Sequence, residues 1–303
     1  MDNINYPESH KSGFVSIVGK PNVGKSTLLN ALLDQKLCIV TPKASTTRHR
    51  IYGILNEPAV QIIFTDTPGY IKKTYNLHHA MMHDFSIALE DSEIVLLVVD
   101  PDEHFPEQEL FEQLLKHKSH IFLVINKIDL YSKQKVEDKI AAVSKILPIA
   151  KVFRVSAIQK TGLEEIKNAV IDTLPEGPPY FDKQAISDKP ERFFVAEFVR
   201  EQLFLNLHEE LPYSCEVYIT TFKPDGNKIF IDAEIHVDKK SHKGMIIGKQ
   251  GQMIKVIRKA AQAEIEAFLG TPVYLSLYVR ITEDWRQSRF RLSQFGYVLP
   301  KQL

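Results

Sequence analysis

Cysteine, net charge and long apolar runs are all scarce in this 303-residue chain. Its two cysteines, Cys38 and Cys215, lie far apart and lack metal-ligand spacing, which argues against a disulfide framework and against a zinc site. The longest strongly apolar run, Ile94 to Val99, is far shorter than the roughly 20 residues of a membrane-spanning helix. We therefore expect a cytoplasmic protein. The length suits two domains, and 44% hydrophobic with 25% charged residues excludes a disordered or fibrous chain.

The formal net charge of zero conceals a local excess of positive charge. Between Lys239 and Arg291 the chain has 11 Lys and Arg against 4 Asp and Glu, an excess of seven. A basic region confined to one part of the chain indicates a single module that binds a polyanion.

The first part of the chain alternates short apolar runs with longer amphipathic segments. This rhythm is typical of an α/β domain with a mostly parallel sheet flanked by helices, expected at residues 1–173. The segment Arg50–Leu55 is expected to pair antiparallel with the next strand, because Asn56-Glu57-Pro58 favours a turn. The other expected elements are strands Phe14–Val18, Val60–Phe64, Ile94–Val99, Ile121–Ile125 and Val152–Val155, and helices Gln134–Leu147 and Leu163–Leu174.

A second domain of α+β character is predicted at residues 191–303. It follows a linker at 174–190, which begins with a run of turn-forming residues that cannot continue a helix. The expected elements are a helix at Glu191–Leu205, strands Cys215–Phe222 and Lys228–Val237, a short apolar turn at Met245–Ile247, a helix at Gln252–Leu269 and a strand at Val273–Val279.

The most specific motif is G-x-x-x-x-G-K-S at residues 19–26, directly after a predicted strand and opening a predicted helix. In such a loop, backbone N–H groups surround phosphate oxygens, Lys25 reaches the β- and γ-phosphates, and Ser26 binds Mg²⁺. The predicted contacts are Gly19, Lys20, Pro21, Asn22, Val23, Gly24, Lys25, Ser26 and Thr27.

Two further segments complete the predicted phosphate site. Asp66-Thr67-Pro68-Gly69 follows a strand, so that Asp66 can hold Mg²⁺ and the Gly69 amide can meet the γ-phosphate. The loop at 36–50 offers a threonine that closes over Mg²⁺ when a γ-phosphate is present; Thr47 is preferred, with Thr46 as the alternative. We therefore assign catalytic roles to Lys25, Thr47 and Gly69.

Base recognition is predicted from Asn126-Lys127-Ile128-Asp129, which ends another strand. The Asp129 carboxylate can accept from guanine N1–H and the exocyclic amine, whereas adenine presents an acceptor at the equivalent ring nitrogen. Ser156 and Ala157, after the last strand, are expected to offer a backbone N–H to guanine O6. Two rivals stay open: an ATP-using P-loop enzyme, and an interaction protein with a static nucleotide.

The basic region contains Gly248-Lys249-Gln250-Gly251, followed by an amphipathic helix. The motif and the surrounding order of elements match the GXXG loop of a type II KH domain, which clamps single-stranded RNA. Ile246, Ile247, Met253 and Ile254 are candidates to line an apolar groove that holds the bases. The expected RNA contacts are Ile246, Ile247, Gly248, Lys249, Gln250, Gly251, Lys255 and Arg258.

Taken in order, these motifs resemble those of the translation-factor-related GTPases, and with the C-terminal module they resemble the Era family of bacterial ribosome-assembly GTPases. The resemblance implies GTP hydrolysis, binding of the 3′ end of 16S ribosomal RNA, and a role in 30S subunit maturation. It also allows a peripheral contact with the inner face of the cell membrane. A monomer is the default expectation.

One departure concerns the residue after Gly69. Tyr70 stands where Ras-like proteins have a glutamine that orients water, and where the Era family more often has an aliphatic residue. The site thus resembles the slow subclass without this glutamine, whose members often use K⁺ held by a P-loop asparagine, here Asn22. Ordinary loop stabilisation by Asn22 is the alternative.

Overall fold

A computed structural model of the chain describes residues 9–103, 108–116 and 119–300. The ends of the two expected domains, residues 1–8 and 301–303, lie outside these ranges. The chain forms two compact units. Of the described residues, the first unit contains 9–38, Thr47–Ile71 and those within Asp84–Asp188, and the second contains Ile39–Thr46, Lys72–His83 and 189–300.

The first unit is built on a six-stranded sheet with strand order β2-β3-β1-β4-β5-β6. All neighbouring strands are parallel except β2 and β3, which confirms the predicted antiparallel pair. The strands are β1 Lys11–Val18, β2 Ile51–Glu57, β3 Val60–Asp66, β4 Ile94–Val99, β5 His120–Ile125 and β6 Lys151–Arg154. The helices are α1 Lys25–Leu33, α2 Asn76–Glu90, α3 Gln108–Lys116, α4 Lys133–Ser144 and α5 Leu163–Thr173; α2 runs from residues of the second unit into the first.

The register of this sheet brings the predicted nucleotide motifs to one edge. Ile17 of β1 lies opposite Asp66 of β3, and Val99 of β4 lies opposite Ile125 of β5. The strands β3 and β4 are buried along their whole length, as expected for parallel strands covered on both faces. The residues that follow β1, β3 and β5 therefore meet at the carboxyl edge, where open α/β sheets bind ligands.

Much of the segment expected to be a linker packs against strands β2 and β3 of the first unit. The Gln61 side chain is fully buried, and its Oε1 accepts hydrogen bonds from the backbone N–H groups of Tyr180 and Phe181 at 2.7 and 2.9 Å. The Ile54 N–H donates to the Ile186 carbonyl at 3.0 Å. The first unit consequently extends to Asp188.

The second unit has a three-stranded sheet of order β7-β8-β9, antiparallel between β7 and β8 and parallel between β8 and β9. Within this unit, Phe268 packs against Phe194 and Phe198, with ring centroids 5.3 and 5.2 Å apart. The elements are α6 Glu191–Asn206, β7 Cys215–Asp225, β8 Lys228–Val237, α7 Lys240–Ile247, α8 Gln252–Leu269, β9 Val273–Ile281 and α9 Arg289–Gln294.

Two predicted details of this unit are wrong. The strand β7 continues to Asp225, through Pro224, and leaves only a two-residue turn, Gly226-Asn227. An edge strand tolerates proline because one side of it has no hydrogen-bonding partner strand. The expected apolar turn at Met245–Ile247 is the last turn of helix α7. Within the described ranges, no helix has the length and hydropathy that a membrane crossing requires.

Candidate functional site

The predicted phosphate loop joins β1 to α1. Gly24 has φ +96°, and a Cβ atom there would lie 2.3 Å from Nδ2 of Asn126, so only glycine fits. The buried Lys25 ammonium donates to the carbonyl oxygens of Gly19 at 3.2 Å and Lys20 at 2.7 Å. Burial lowers the pKa of Lys25 to about 8, although Asp66 opposes this shift. The Lys25 ammonium therefore points into the centre of the loop, where a bound phosphate chain would favour its charged form.

Three oxygen-bearing side chains gather beside this lysine. Ser26 Oγ donates to Asp66 Oδ2 at 2.6 Å, and Thr47 Oγ1 lies 3.3 Å from the same carboxylate oxygen and 2.9 Å from Ser26 Oγ. The other oxygen, Asp66 Oδ1, is buried without a hydrogen-bond partner among the described residues. Burial raises the pKa of Asp66 against the stabilising hydrogen bond from Ser26. The oxygen donor set and the unpaired carboxylate oxygen suit a hard divalent cation such as Mg²⁺.

The same geometry distinguishes the two candidate threonines. Thr46 Oγ1 is engaged with Thr41 Oγ1 at 2.6 Å and with the Lys43 carbonyl at 2.8 Å. Thr47 alone places its hydroxyl beside Ser26, which favours Thr47 for the metal role.

Helix α6 holds the segment that precedes Thr47, a set of contacts that sequence reasoning missed. Within the second unit, Arg200 Nη1 donates to the Thr46 carbonyl at 2.6 Å, and Glu201 Oε1 accepts from the Val40 N–H at 2.9 Å. The Lys43 ammonium donates to the carbonyls of Phe204 and Leu207 at the end of the helix. No local pattern marks these partners, because roughly 160 residues of chain separate the two sides.

The loop after β3 approaches the phosphate loop closely. A Cβ atom on Gly69 would lie 2.8 Å from the Pro21 nitrogen, and the Tyr70 N–H donates to the Gly19 carbonyl at 3.2 Å. The Tyr70 hydroxyl donates to a carboxylate oxygen of Glu109 at 2.6 Å. Tyr70 is thereby bound to helix α3, a contact that sequence reasoning also missed. Its phenol is not free to act as the carboxamide of a glutamine would.

Asn126 connects the predicted base-binding loops. Its Nδ2 donates to the Val23 carbonyl at 2.9 Å, and its Oδ1 accepts from the Ala157 N–H at 3.1 Å. The Lys127 ammonium donates to the Asn22 carbonyl at 2.7 Å. The Asp129 carboxylate lies exposed in a short 3-10 helix, Ile128–Leu130, where a base can reach it.

The remaining predicted nucleotide residues occupy the same edge of the sheet. The side chain of Thr67 donates to the Ile17 carbonyl at 2.9 Å, and Ser156 Oγ accepts from the Gln159 N–H at 3.2 Å. Lys20 and Thr27 are half-buried, Pro68 and Val23 are buried, and Asn22 is exposed with φ +66°.

Two acidic residues at this edge were missing from the sequence-based set. Asp100, directly after β4, accepts from the Lys127 ammonium at 2.8 Å. Glu103 lies 3.8 Å from the Lys20 ammonium, and burial raises its pKa to about 7 despite that neighbouring cation. The rule that functional residues follow parallel strands would have found Asp100, whereas the burial of Glu103 has no sequence signal.

The predicted RNA-binding loop connects helices α7 and α8. Gly248 has φ +71°, and a Cβ atom there would lie 2.7 Å from Cβ of Met253, so the loop requires glycine at this position. The side chains of Lys249, Gln250 and Lys255 are exposed. Arg258 is half-buried and donates to Gln262 at 3.2 Å. The loop offers cationic side chains and open backbone beside a helix N-terminus, as backbone phosphate binding requires.

One residue expected to contact RNA does not fit the structure. Ile246 is 0% exposed and lies in the core of the second unit, because it occupies the inward face of α7. Ile247, Met253 and Ile254 are half-buried and remain accessible to a base. Trp285 is also fully buried and donates through Nε1 to the Ser214 carbonyl at 2.9 Å, so it anchors the core.

Comparison with known proteins covers both units. A family model described as a 50S ribosome-binding GTPase matches residues 14–127, and one described as a KH domain matches residues 210–286. The GTPase Era of Carboxydothermus hydrogenoformans is 41% identical over 293 residues, which cover 95% of this chain and 98% of that protein. The GTPase Era of Geotalea daltonii is 43% identical over 289 residues, with 94% and 97% covered.

A solved structure is similar over nearly the whole chain. The crystal structure of Era in complex with MgGDPNP and nucleotides 1506–1542 of 16S ribosomal RNA has a TM-score of 0.91 and 40% sequence identity, and the match covers 96% of this chain and 100% of that chain. The nucleotide motifs on one sheet edge, the GXXG loop between two helices and these full-length similarities agree. The chain belongs to the GTPase Era family.

Proposed function

We propose that this protein is a switch that hydrolyses GTP in its first unit and binds the single-stranded 3′ end of 16S ribosomal RNA through its KH unit. In this way it would assist assembly and maturation of the 30S subunit. One observation carries the proposal: the chain combines the phosphate and base motifs at one edge of a sheet with an exposed GXXG loop, and a similar Era structure is in complex with MgGDPNP and 16S ribosomal RNA.

Hydrolysis by this site would depend on positioning and electrostatics. The Lys25 ammonium, already held inside the phosphate loop, would neutralise charge on the β- and γ-phosphates. The Gly69 amide and Thr47 would contact the γ-phosphate side of the nucleotide. Tyr70 stands where Ras-like proteins have the glutamine that orients the attacking water, and its hydroxyl is bound to Glu109, so intrinsic hydrolysis should be slow.

Ser26, Thr47 and Asp66 would hold Mg²⁺, as their converging oxygens and the unpaired Asp66 Oδ1 indicate. The ion would supply positive charge to the phosphoryl oxygens. Asn22, exposed in the phosphate loop, is the candidate to hold K⁺.

Guanine selectivity would come from Asp129, whose exposed carboxylate can accept two hydrogen bonds from the base. Asn126 would support the pocket by joining Val23 to Ala157. RNA would lie along the GXXG loop, with Lys249, Lys255 and Arg258 near phosphates.

For domain organisation, we propose a GTPase domain at 1–173, a connecting segment at 174–190 and a KH domain with a basic tail at 191–303. The monomeric state, the cytoplasmic location and the peripheral membrane contact stay predictions.

Direct binding tests the two activities separately. Titration with fluorescent GDP in competition with GTP, ATP and XTP should show guanine selectivity, and hydrolysis in K⁺ should exceed hydrolysis in Na⁺ if Asn22 holds K⁺. Equal competition by ATP and GTP would contradict the guanine assignment.

RNA binding is tested with a labelled copy of the 16S 3′ end and a scrambled copy. The matched variant is Lys249→Asp/Gln250→Asp, since both side chains are exposed and aspartate tolerates the φ of +51° at position 250. A substitution at Gly248 would be less informative, because its Cβ would displace Met253. Equal binding of both RNAs by wild type and variant would refute the KH assignment.

A further inference from the structure

The start of helix α2 is capped by a turn near the C-terminus. This helix begins seven residues after Gly69, and its first residues belong to the second unit. The Leu77 N–H donates to the Arg286 carbonyl at 3.1 Å, and the Asn76 N–H donates to Gln287 Oε1 at 3.3 Å. The first N–H groups of a helix have no partner within the helix. Residues 286–287 therefore act as the cap of α2.

The side chain of Arg286 continues this connection. Its guanidinium lies over the Tyr75 ring, 5.3 Å from the centroid, and its Nη2 donates to Asp238 Oδ2 at 2.6 Å. Asp238 is only 8% exposed, and its Oδ1 is buried with no hydrogen-bond partner in the part of the chain that the structure describes. Among those residues, Arg286 is the only cation paired with this carboxylate.

Asp238 lies where the RNA-binding loop originates. It stands between the end of β8 at Val237 and the first residue of α7 at Lys240, and α7 leads directly to Gly248. The turn that carries Arg286 is itself fixed, because Trp285 is buried and bound to the Ser214 carbonyl. The backbone of Arg286 thus contacts the start of helix α2, and its side chain contacts Asp238, just before helix α7.

We infer that Arg286 is a positioning residue that couples the nucleotide state to RNA affinity, through the start of α2 on one side and Asp238 on the other. The inference rests on the proposed function, a GTP-hydrolysing switch that binds RNA through its KH unit. A change in the 66–71 loop on loss of the γ-phosphate moves the start of α2, and the cap and the Tyr75 contact transmit this to Arg286. The ion pair with Asp238 then alters the presentation of α7 and the GXXG loop.

The test measures a coupling ratio, defined as the Kd for the 16S 3′-end RNA with GDP divided by the Kd with a non-hydrolysable GTP analogue. The variant Arg286→Met keeps an unbranched side chain over Tyr75 but removes the charge. We expect a wild-type ratio of about tenfold or more, which is within the usual range of allosteric coupling. In Arg286→Met the ratio should fall towards one, while guanine-nucleotide affinity without RNA stays within about twofold of wild type.

Four further variants make the result specific. Arg286→Lys, which retains a cation for Asp238, should restore part of the ratio. Asp238→Asn should lower the ratio, and adding it to Arg286→Met should have no further effect, because both changes break one connection. Arg289→Met removes a charge from α9, where Arg289 contacts the Pro300 carbonyl, and should leave the ratio unchanged.

The outcomes separate this inference from the proposed function. A wild-type ratio near one contradicts nucleotide-dependent RNA binding and the inference with it. A wild-type ratio that persists in Arg286→Met overturns the inference alone. Equal loss of RNA affinity in both nucleotide states also overturns it, because Arg286 would then be a simple RNA contact.

Discussion

Helix α6 carries a buried ion pair whose removal tests how the segment before Thr47 is held. Arg200 and Glu197 form a bidentate pair with N–O distances of 2.8 and 2.5 Å, and their side chains are 1% and 6% exposed. The remaining terminal nitrogen of Arg200 donates to the Thr46 carbonyl. One arginine thus stabilises the second unit and fixes the backbone next to Thr47.

Replacing Arg200 with methionine leaves the Glu197 carboxylate buried and unpaired. Breaking a buried pair in this way costs about 3–5 kcal/mol of unfolding free energy, whereas replacing both partners with apolar residues is often near neutral. Arg200→Met/Glu197→Met should therefore be more stable than Arg200→Met by at least about 2 kcal/mol. The control Arg192→Met, at an exposed position of α6, should change stability by less than about 0.5 kcal/mol.

The chain contains a reporter for this unit alone. Trp285 is its single tryptophan, is fully buried and lies in the second unit, so its fluorescence during urea unfolding follows that unit. If the single and double variants unfold at the same urea concentration, then Arg200 does not offset the free-energy cost of burying the Glu197 charge, and the reasoning fails.

The double variant also tests the functional role of the Thr46 contact. It retains the fold but lacks the arginine that donates a hydrogen bond to the carbonyl of the half-buried Thr46. Because water can partly replace this donor, the net loss of interaction free energy is about 1 kcal/mol. Affinity for a non-hydrolysable GTP analogue should fall about fivefold, and affinity for GDP should not change, because Thr47 contributes when a γ-phosphate is bound. An equal fall for both nucleotides, measured by fluorescence titration, would contradict this role.

Three other changes have defined outcomes. Asp129→Asn should shift preference in competition titrations from GTP to XTP, and retained GTP preference would refute the base assignment. Asn126→Ala leaves the buried Val23 carbonyl and Ala157 amide without a partner, at about 1–3 kcal/mol each, so GDP affinity should fall at least about tenfold; unchanged affinity would refute this. Folding raises the pKa of the Glu103 carboxyl group to about 7. Its ionisation therefore lowers the free energy of unfolding progressively as the pH rises from 4.5 to 7, and this loss is complete above pH 7. Glu103→Gln should therefore raise Tm at pH 8.5, by the equivalent of about 1–2 kcal/mol after allowance for solvent screening, and have little effect near pH 4.5; equal effects at both pH values would count against it.

The placement of the nucleotide motifs at strand ends and at the start of a helix follows from the sequence, because these motifs depend on local backbone geometry. The phosphate loop must follow a strand and open a helix, and a Gly24 side chain would collide with Asn126. Strand β8 and helix α8 have their predicted bounds, since alternation and amphipathic periodicity are strong in both.

What the sequence does not predict depends on contacts between distant segments. The bond from Arg200 to Thr46 and the cap that Arg286 provides to α2 join residues more than 150 positions apart and have no local pattern. Ile246 is buried because of the way α7 is rotated about its own axis. The short apolar segment before Gly248 does not reveal which side of this helix faces the core. The extension of the first unit to Asp188 depends on contacts with strands far away in the sequence, such as the hydrogen bonds from Tyr180 and Phe181 to the buried Gln61 side chain and the bond from Ile54 to Ile186.

The most direct test of a GTPase coupled to RNA binding is the rate of GTP hydrolysis by the full chain with and without the 16S 3′-end RNA. This RNA should stimulate hydrolysis by the wild-type protein, a scrambled RNA should not, and the Lys249→Asp/Gln250→Asp variant should retain the basal rate without the stimulation. Hydrolysis that is the same with either RNA, or stimulation that survives in the variant, would contradict the coupling of the two units' activities through the GXXG loop.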